Sequence, residues 1–373
     1  MIPSPASLDR IFTTLKQLRF VVLGDFCLDA YFFLNQQLSE ISIETGLNTL
    51  AVASMRFTPG GAGNVAANLS AMGATRVHAL GVVGDDLYGR EYLRLLSRQG
   101  IDTSDLLIQA DHWQTCVYSK LYDGERELPR IDMGRTNRLT PASAHALLTR
   151  LNRLLPQADV VLINQQLQNG IHGPILKSGL AAAIDRHSDI VWLLDAREEI
   201  DAYPGTIRKL NHEEAVKAAA LEGRAHDPQT EATVRRAADA LFRRWGTPFC
   251  ITRGARGGLC RDAAGNHLIP GLHFTTKLDT VGAGDSIFAG LAAGLAADLA
   301  LPEALGFATL VAGVTIQKQM QTGTASEGEI RALARDPDFN YRPEAAAAPE
   351  RAVLHGASEI EIVADPPLSS TIT

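Results

Sequence analysis

The chain has 373 residues, 46% hydrophobic and 21% charged, which is enough apolar material for one large folded unit or two ordinary ones and excludes a disordered chain. Its formal net charge of −7 provides no general field for DNA, RNA or an anionic membrane, so neither nucleic acid nor membrane is an expected partner, although a local basic pocket for one phosphate stays open. Four cysteines without a CxxC pair (Cys27, Cys116, Cys250, Cys260) predict reduced thiols in or near the core of a cytoplasmic protein, and the opening MIPSPASLDRIF lacks the basic and apolar stretches of a signal peptide.

Phe20 to Gly24 (FVVLG) is a short apolar run closed by glycine, the pattern of a buried parallel strand. Asp29 to Thr58 alternates loosely with aromatic and β-branched positions, which predicts strands apart from the main core. Gly60 to Gly73 opens with glycines and continues as a small-residue helix. His78 to Val83 reads as a strand, and Asp86 as the cap of a helix that carries Tyr92, Leu95 and Leu96 and stops at Gly100. Cys116 to Asp132 has strand–turn–strand character around Asp123-Gly124. Thr140-Pro141 starts a helix, and strands follow at Val160 to Asn164 and Ile190 to Asp195 with a helix between them. A helix near Thr230 to Trp245, strands at Phe249 to Arg253 and Gly258 to Arg261, and two helices after Gly282 complete the series.

Strands alternating with helices predict an α/β fold with a doubly wound, mostly parallel sheet. The β-rich inserts near 30–58 and 116–132 break the alternation and are expected to form a small β-sheet lid over the ligand edge. Residues 1–335 read as one domain, and the Ala/Pro-rich composition of 336–373 reads as a tail.

Asp279 to Asp285 (DTVGAGD) carries the strongest chemical signal. A small-residue turn, Gly282-Ala283-Gly284, runs straight into a helix, whose free N–H groups and dipole attract an anion. An acid at the first turn, Asp285, would be repelled by that anion unless its task is to take a proton from a nucleophile. Pro59 to Asn68 (PGGAGNVAAN) is a second glycine-rich helix entry, at Gly60 and Gly61, with Asn64 and Asn68 one turn apart and suited to sugar hydroxyls. Asp25 and Asp29, in GDFCLD at the end of the first strand, also suit hydroxyls, with a capping role as the plainer reading of Asp25. Asn211 and Glu214, in NHEE, form either a helix cap box or a Mg²⁺ site that works through water. GxxxxGK[ST], HxGH and HExxH are absent, which removes P-loop kinases and simple zinc enzymes, and no GxGxxG follows the first strand to support a dinucleotide oxidoreductase.

Together PGGAGNVAAN, GVVGDDLYG (Gly81 to Gly89), NHEE, TRGARGG (Thr252 to Gly258) and DTVGAGD resemble the ribokinase-like (PfkB) carbohydrate kinases, over roughly residues 18–335. The resemblance implies an ATP-dependent kinase for a sugar or sugar phosphate, using Mg²⁺, with a monovalent cation left open. It implies Asp285 as base, Gly282, Ala283 and Gly284 as anion hole, and Asp29, Gly61 and Asn64 against the acceptor. Asn211 and Glu214 would organise Mg²⁺ and phosphate. Arg253, Gly254 and Gly257, with Thr280 and Thr309, would lie near ATP, Thr309 standing where an Asn is usual. Within the family, GDFCLDAYFF and SKLYDGERELPRID are similar to the heptose 7-phosphate kinases. Lys120 and Arg130 of the second insert are then expected to hold an acceptor phosphate, or else to pair with Glu125, Glu127 or Asp132 on a solvated strand. The alternatives are a kinase for another sugar, such as a ribose, fructose or nucleoside, and a non-catalytic sugar- or nucleotide-binding member of the fold. A homodimer joined through the lid strands is expected, because the inserts leave a sheet edge to cover.

Overall fold

A computed structural model describes residues 3–221, 230–274 and 277–335, and the backbone of two short paired strands at 352–354 and 360–362. Apart from those strands, the predicted tail at 336–373 lies outside the described residues.

The chain opens with α1 (Pro5–Leu15), capped by Ser4, and enters the sheet at β1 (Arg19–Gly24). Two lid strands follow, β2 (Phe26–Leu34) and β3 (Val52–Gly61), and then α2 (Ala62–Ala71). Next come β4 (Arg76–Gly84), α3 (Leu87–Arg98) with the predicted Asp86 cap, and β5 (Leu106–Gln109). The second insert supplies β6 (Cys116–Asp123), β7 (Arg126–Glu127) and β8 (Ile131–Met133). Regular alternation resumes with α4 (Pro141–Leu154), β9 (Val160–Gln165), α5 (Pro174–Arg186), β10 (Val191–Ala196), β11 (Ile207–Asn211) and α6 (His212–Ala218). The body closes with α7 (Glu231–Trp245), β12 (Phe249–Thr252), β13 (Gly258–Asp262), β14 (Gly265–Ile269), α8 (Ala283–Ala296), α9 (Leu301–Thr315) and α10 (Glu327–Arg335).

Nine strands form one sheet in the order β14-β13-β12-β11-β10-β9-β1-β4-β5, parallel from β12 to β5 and antiparallel at β13 and β14. Helices cover both faces, because strands buried on two sides need two apolar layers. One core joins Phe20, Val22, Leu162 and Leu193 to α1, α2, α8 and α9; the other joins Val21, Ile163 and Leu194 to α4, α5 and α7. The lid is a separate five-stranded sheet in which β2 pairs with β3 and β6, and β6 also with β7 and β8. Its strands begin at Phe26 and end at Gly61, wider than the insert boundaries read from sequence, so they reach the carboxyl edge of the main sheet without a linker. All four cysteines are free and buried. No helix among the described residues is long and apolar enough to cross a membrane.

The α8–α9 contact places the glycine turn, and it depends on small residues. A Cβ on Gly290 would lie 2.7 Å from Ala308 Cα, and one on Gly294 2.9 Å from Ala304 Cα. Gly290→Val should therefore lower stability by about 2 kcal/mol or more, the scale of overpacking. Gly328→Ala in α10, where nothing lies within 4 Å, should be neutral or stabilising by up to about 1 kcal/mol. Urea denaturation of the two variants checks the pair.

Candidate active site

The turn before α8 is held from both sides. Asp279 accepts hydrogen bonds from the N–H groups of Val281 (3.1 Å) and Met320 (2.8 Å). Gly282 caps α8 at φ 77°, and a Cβ there would lie 2.6 Å from both Asn64 Nδ2 and Thr322 Cγ2, so only glycine fits. Ala283, expected in the anion hole, donates its N–H to Thr280 O at 3.1 Å, which removes it as a donor. The N–H groups of Gly282, Gly284 and Asp285 have no backbone partner among the described residues and remain for an anion.

Asp285 occupies the third position of α8 and is half-buried. Its Oδ2 accepts from Asn64 Nδ2 at 3.1 Å. Burial pushes the carboxyl up to about 7, opposed by the Asn64 bond, raised further by Asp195 and lowered by Lys209. Asn68 does not serve an acceptor as expected. It is fully buried and gives its amide to Asn64 O and Oδ1 (3.0 Å each), so it orients Asn64 from behind.

Lys209 escaped the sequence reading. Its Nζ donates to Asp195 Oδ2 at 2.8 Å, both side chains are buried, and the ammonium lies 3.2 Å from where a Cβ of Gly284 would stand. Burial pulls its pKa down, but Asp195, Glu214 and Asp285 outweigh that and raise it, so it stays charged. The available signal was the pairing of neighbouring strand ends: Gly24, Asn164, Asp195 and Lys209 stand opposite one another in register across β1, β9, β10 and β11.

On the lid side, Asp29 is buried with both oxygens engaged. Its Oδ1 pairs with Lys120 Nζ at 3.3 Å and its Oδ2 accepts from Thr322 Oγ1 at 2.7 Å. Gly60 lies against this carboxylate, and Gly61 turns at φ 55° into α2 with Asp25 O 2.5 Å from where a Cβ would stand. Asp25 is not placed as expected for an acceptor ligand. Its carboxylate accepts the N–H groups of Gln166 and Leu167 (2.8 Å each) and Ile171 (3.0 Å), because a buried loop needs those donors satisfied. Lys120 is neither a free phosphate ligand nor a solvated strand residue: it is buried, donating to Tyr31 Oη at 3.1 Å beside Asp29. Arg130 takes the plainer of its two readings, bonding Asp132 through Nε and Nη2 (2.6 and 2.9 Å) above the Tyr118 ring.

Behind the glycine turn opens a cavity of about 210 Å³. Thr252, Gly254, Gly257, Thr280, Ala283, Gly284 and Thr309 line it with apolar Leu278, Ile287 and Leu305. Thr309 Oγ1 donates to Leu305 O at 2.8 Å, so its hydroxyl proton is not available to a ligand. Arg253 is buried, its N–H donating to Gly257 O at 2.7 Å. Asn211 and Glu214 form the cap box: Asn211 Oδ1 accepts from Glu214 N and Glu214 Oε2 from Asn211 N, 2.8 Å each. Burial, then Asp195, raises Glu214 above the usual carboxylate range.

A family model described as pfkB family carbohydrate kinase matches residues 19–327. The bifunctional protein HldE of Pelobacter propionicus is 32% identical over 333 residues, covering 87% of this chain and 64% of that protein. That of Azorhizobium caulinodans is 28% identical over 313 residues, covering 83% and 63%. The chain thus spans a little under two thirds of these curated relatives. Phosphofructokinase-2 of Escherichia coli in complex with potassium superposes with a TM-score of 0.68 at 19% identity, covering 85% of this chain and 98% of that one. Ribokinase of Thermotoga maritima gives 0.63 at 17%, covering 86% and 100%. These likenesses show a ribokinase-like fold.

The geometry predicts one carboxyl titrating near pH 7 in the wild-type protein and absent from Asp285→Asn, as read by carboxyl ¹³C NMR. Asn64→Leu should move that titration upward, since the Asn64 bond favours the charged form.

Proposed function

Because the chain belongs to the pfkB family of carbohydrate kinases, we propose that it transfers the γ-phosphoryl group of ATP to a hydroxyl of a sugar or sugar phosphate. The observation that carries this reading is Asp285, a carboxyl pushed up to about 7 beside free helix N–H groups and a buried ammonium. ATP fits with its base in the apolar cavity and its phosphates at Gly282 to Asp285. Asp29 and Asn64 hold the acceptor, and Asp285 accepts the hydroxyl proton as the oxygen attacks phosphorus. The N–H groups and Lys209 stabilise the charge that gathers on the phosphoryl oxygens. The lid keeps water, a competing acceptor, out of the cleft.

Mg²⁺ belongs to the same proposal. Asp195, Glu214 and Asp285 lie around the Lys209 ammonium, and among the described residues no three carboxylates, histidines or cysteines group to hold an ion directly, so it would be held through water. Asn211 and Glu214, held by their own cap box, would reach the ion through its waters, and the ion would screen the ATP phosphates.

The finer proposal is a heptose 7-phosphate acceptor. It is supported by the likeness to the HldE proteins and by Lys120, which neutralises Asp29 at the place where an anionic sugar would otherwise be repelled. The Arg130–Asp132 pairing favours a second reading, an unphosphorylated sugar. Comparing kcat/KM for a sugar and its phosphate in wild type and Arg130→Ala separates them: phosphate recognition predicts a selective loss of roughly 1.5–3 kcal/mol on the phosphorylated sugar. We further propose a cytoplasmic homodimer through the lid. β3 is an edge strand, and Ile43, Leu47, Leu50, Val52 and Met55 are exposed on or beside it. Light scattering should give twice the chain mass, and Ile43→Asp should shift the protein toward monomer.

For catalysis, kcat/KM should rise about tenfold per pH unit below about 7 and flatten above, because the base works only when ionised. Asp285→Asn should lower kcat roughly 10²-fold or more and leave ATP affinity nearly unchanged.

A further inference from the structure

The segment after α9 touches three functional parts at once. Asp279, which opens the glycine turn, donates its N–H to Ile316 O and accepts from Met320 N. Arg56, on lid strand β3, donates to Met320 O at 3.0 Å. Met320 itself sits at φ 53°, a conformation that costs a non-glycine residue energy and persists only where the surroundings hold it. Two residues on, Thr322 is buried with its hydroxyl on Asp29 and its methyl against Gly282.

We propose that Thr322 is a positioning residue for acceptor recognition: it fixes the Asp29 carboxylate and keeps it in register with the glycine turn. This rests on the sugar-kinase reading above. Each carboxylate oxygen accepts about two hydrogen bonds, so Lys120 and Thr322 leave Asp29 free lone pairs while setting its rotation. Tyr31 Oη, 3.4 Å from Thr322 Oγ1 and bonded to Lys120, closes the ring. Without the Thr322 hydroxyl, Asp29 keeps only the Lys120 contact and rotates about its own side chain. The methyl, packed on Gly282, ties the acceptor carboxylate to the backbone that receives phosphate. Met320 and Arg56 attach the same segment to the lid, so lid position and Asp29 orientation are set together.

Thr322→Val keeps the shape and the methyl and removes the hydroxyl; Thr322→Ser does the reverse. With the acceptor that gives the highest wild-type kcat/KM, Thr322→Val should raise acceptor KM about tenfold or more, the size of a lost bond to a charged group, while KM for ATP stays within about twofold. Thr322→Ser should bring acceptor KM back to within about threefold of wild type. Arg56→Gln, at the exposed end of the clasp, should raise acceptor KM several-fold with ATP unaffected. An acceptor KM within twofold of wild type in Thr322→Val, or equal rises for acceptor and ATP, would overturn the proposal and leave the kinase reading standing. Absence of sugar-dependent ADP formation by wild type across hexoses, pentoses and heptose 7-phosphates would overturn both.

Discussion

The site turns on keeping one carboxylate basic at a place designed for anions. The start of α8 offers free N–H groups and a helix dipole, and Asp285 stands on the same turn. Burial, with Asp195 and Asp29 adding to it and Asn64 and Lys209 opposing it, takes the carboxyl from an ordinary 3.8 to about 7. Under the proposed function, bound polyphosphate would raise it further. The value near 7 already includes the lowering by Lys209 and the Asn64 amide, and it is where the proposed general base would be most useful.

Lys209 is buried with Asp195 paired beside it and Glu214 and Asp285 nearby. Removing either partner of such a pair costs about 3–5 kcal/mol, whereas exposed pairs such as Arg90–Asp85 are worth at most about 1. Parallel strands supply the arrangement without special loops. Their carboxyl ends stop in register, so residues from β1, β9, β10 and β11 line one floor, and α2 and α8 enter above it. The small residues of α8 and α9 bring that helix pair close enough for the glycine turn to reach the floor.

The parallel sheet, the two-part lid and the helix entries at Gly61 and Gly282 were legible in the sequence because each depends on local pattern: period, cap and glycine. The place of Asp285 in the first turn of α8 was legible for the same reason, since its motif is contiguous. β5 and β14 were not read as strands. Lys209 and Asp195 were missed because the partner of each lies on another strand, fourteen positions away. Asp25 and Asn68 look like ligand residues by type and spacing, but the three-dimensional fold gives the Asp25 carboxylate to a loop and the Asn68 amide N–H to neighbouring Asn64. Sequence identifies polar residues that need partners; only the packing says whether the protein or a ligand supplies them.

The same distinction separates the two carboxylates of the acceptor side. Asp25 accepts three backbone N–H groups of the 166–171 loop, which ties it to the loop's fold. Asp29 is held by side chains, Lys120 and Thr322, that belong to different parts: one to the lid, the other to the segment beside the glycine turn. Side-chain partners can share a carboxylate with a third donor, and backbone partners in a tight loop leave little room to do so. An acceptor hydroxyl is such a third donor. If Asp29 meets the acceptor as proposed, the ligand engages the side-chain cluster that joins lid to body and leaves the loop beneath Asp25 unchanged.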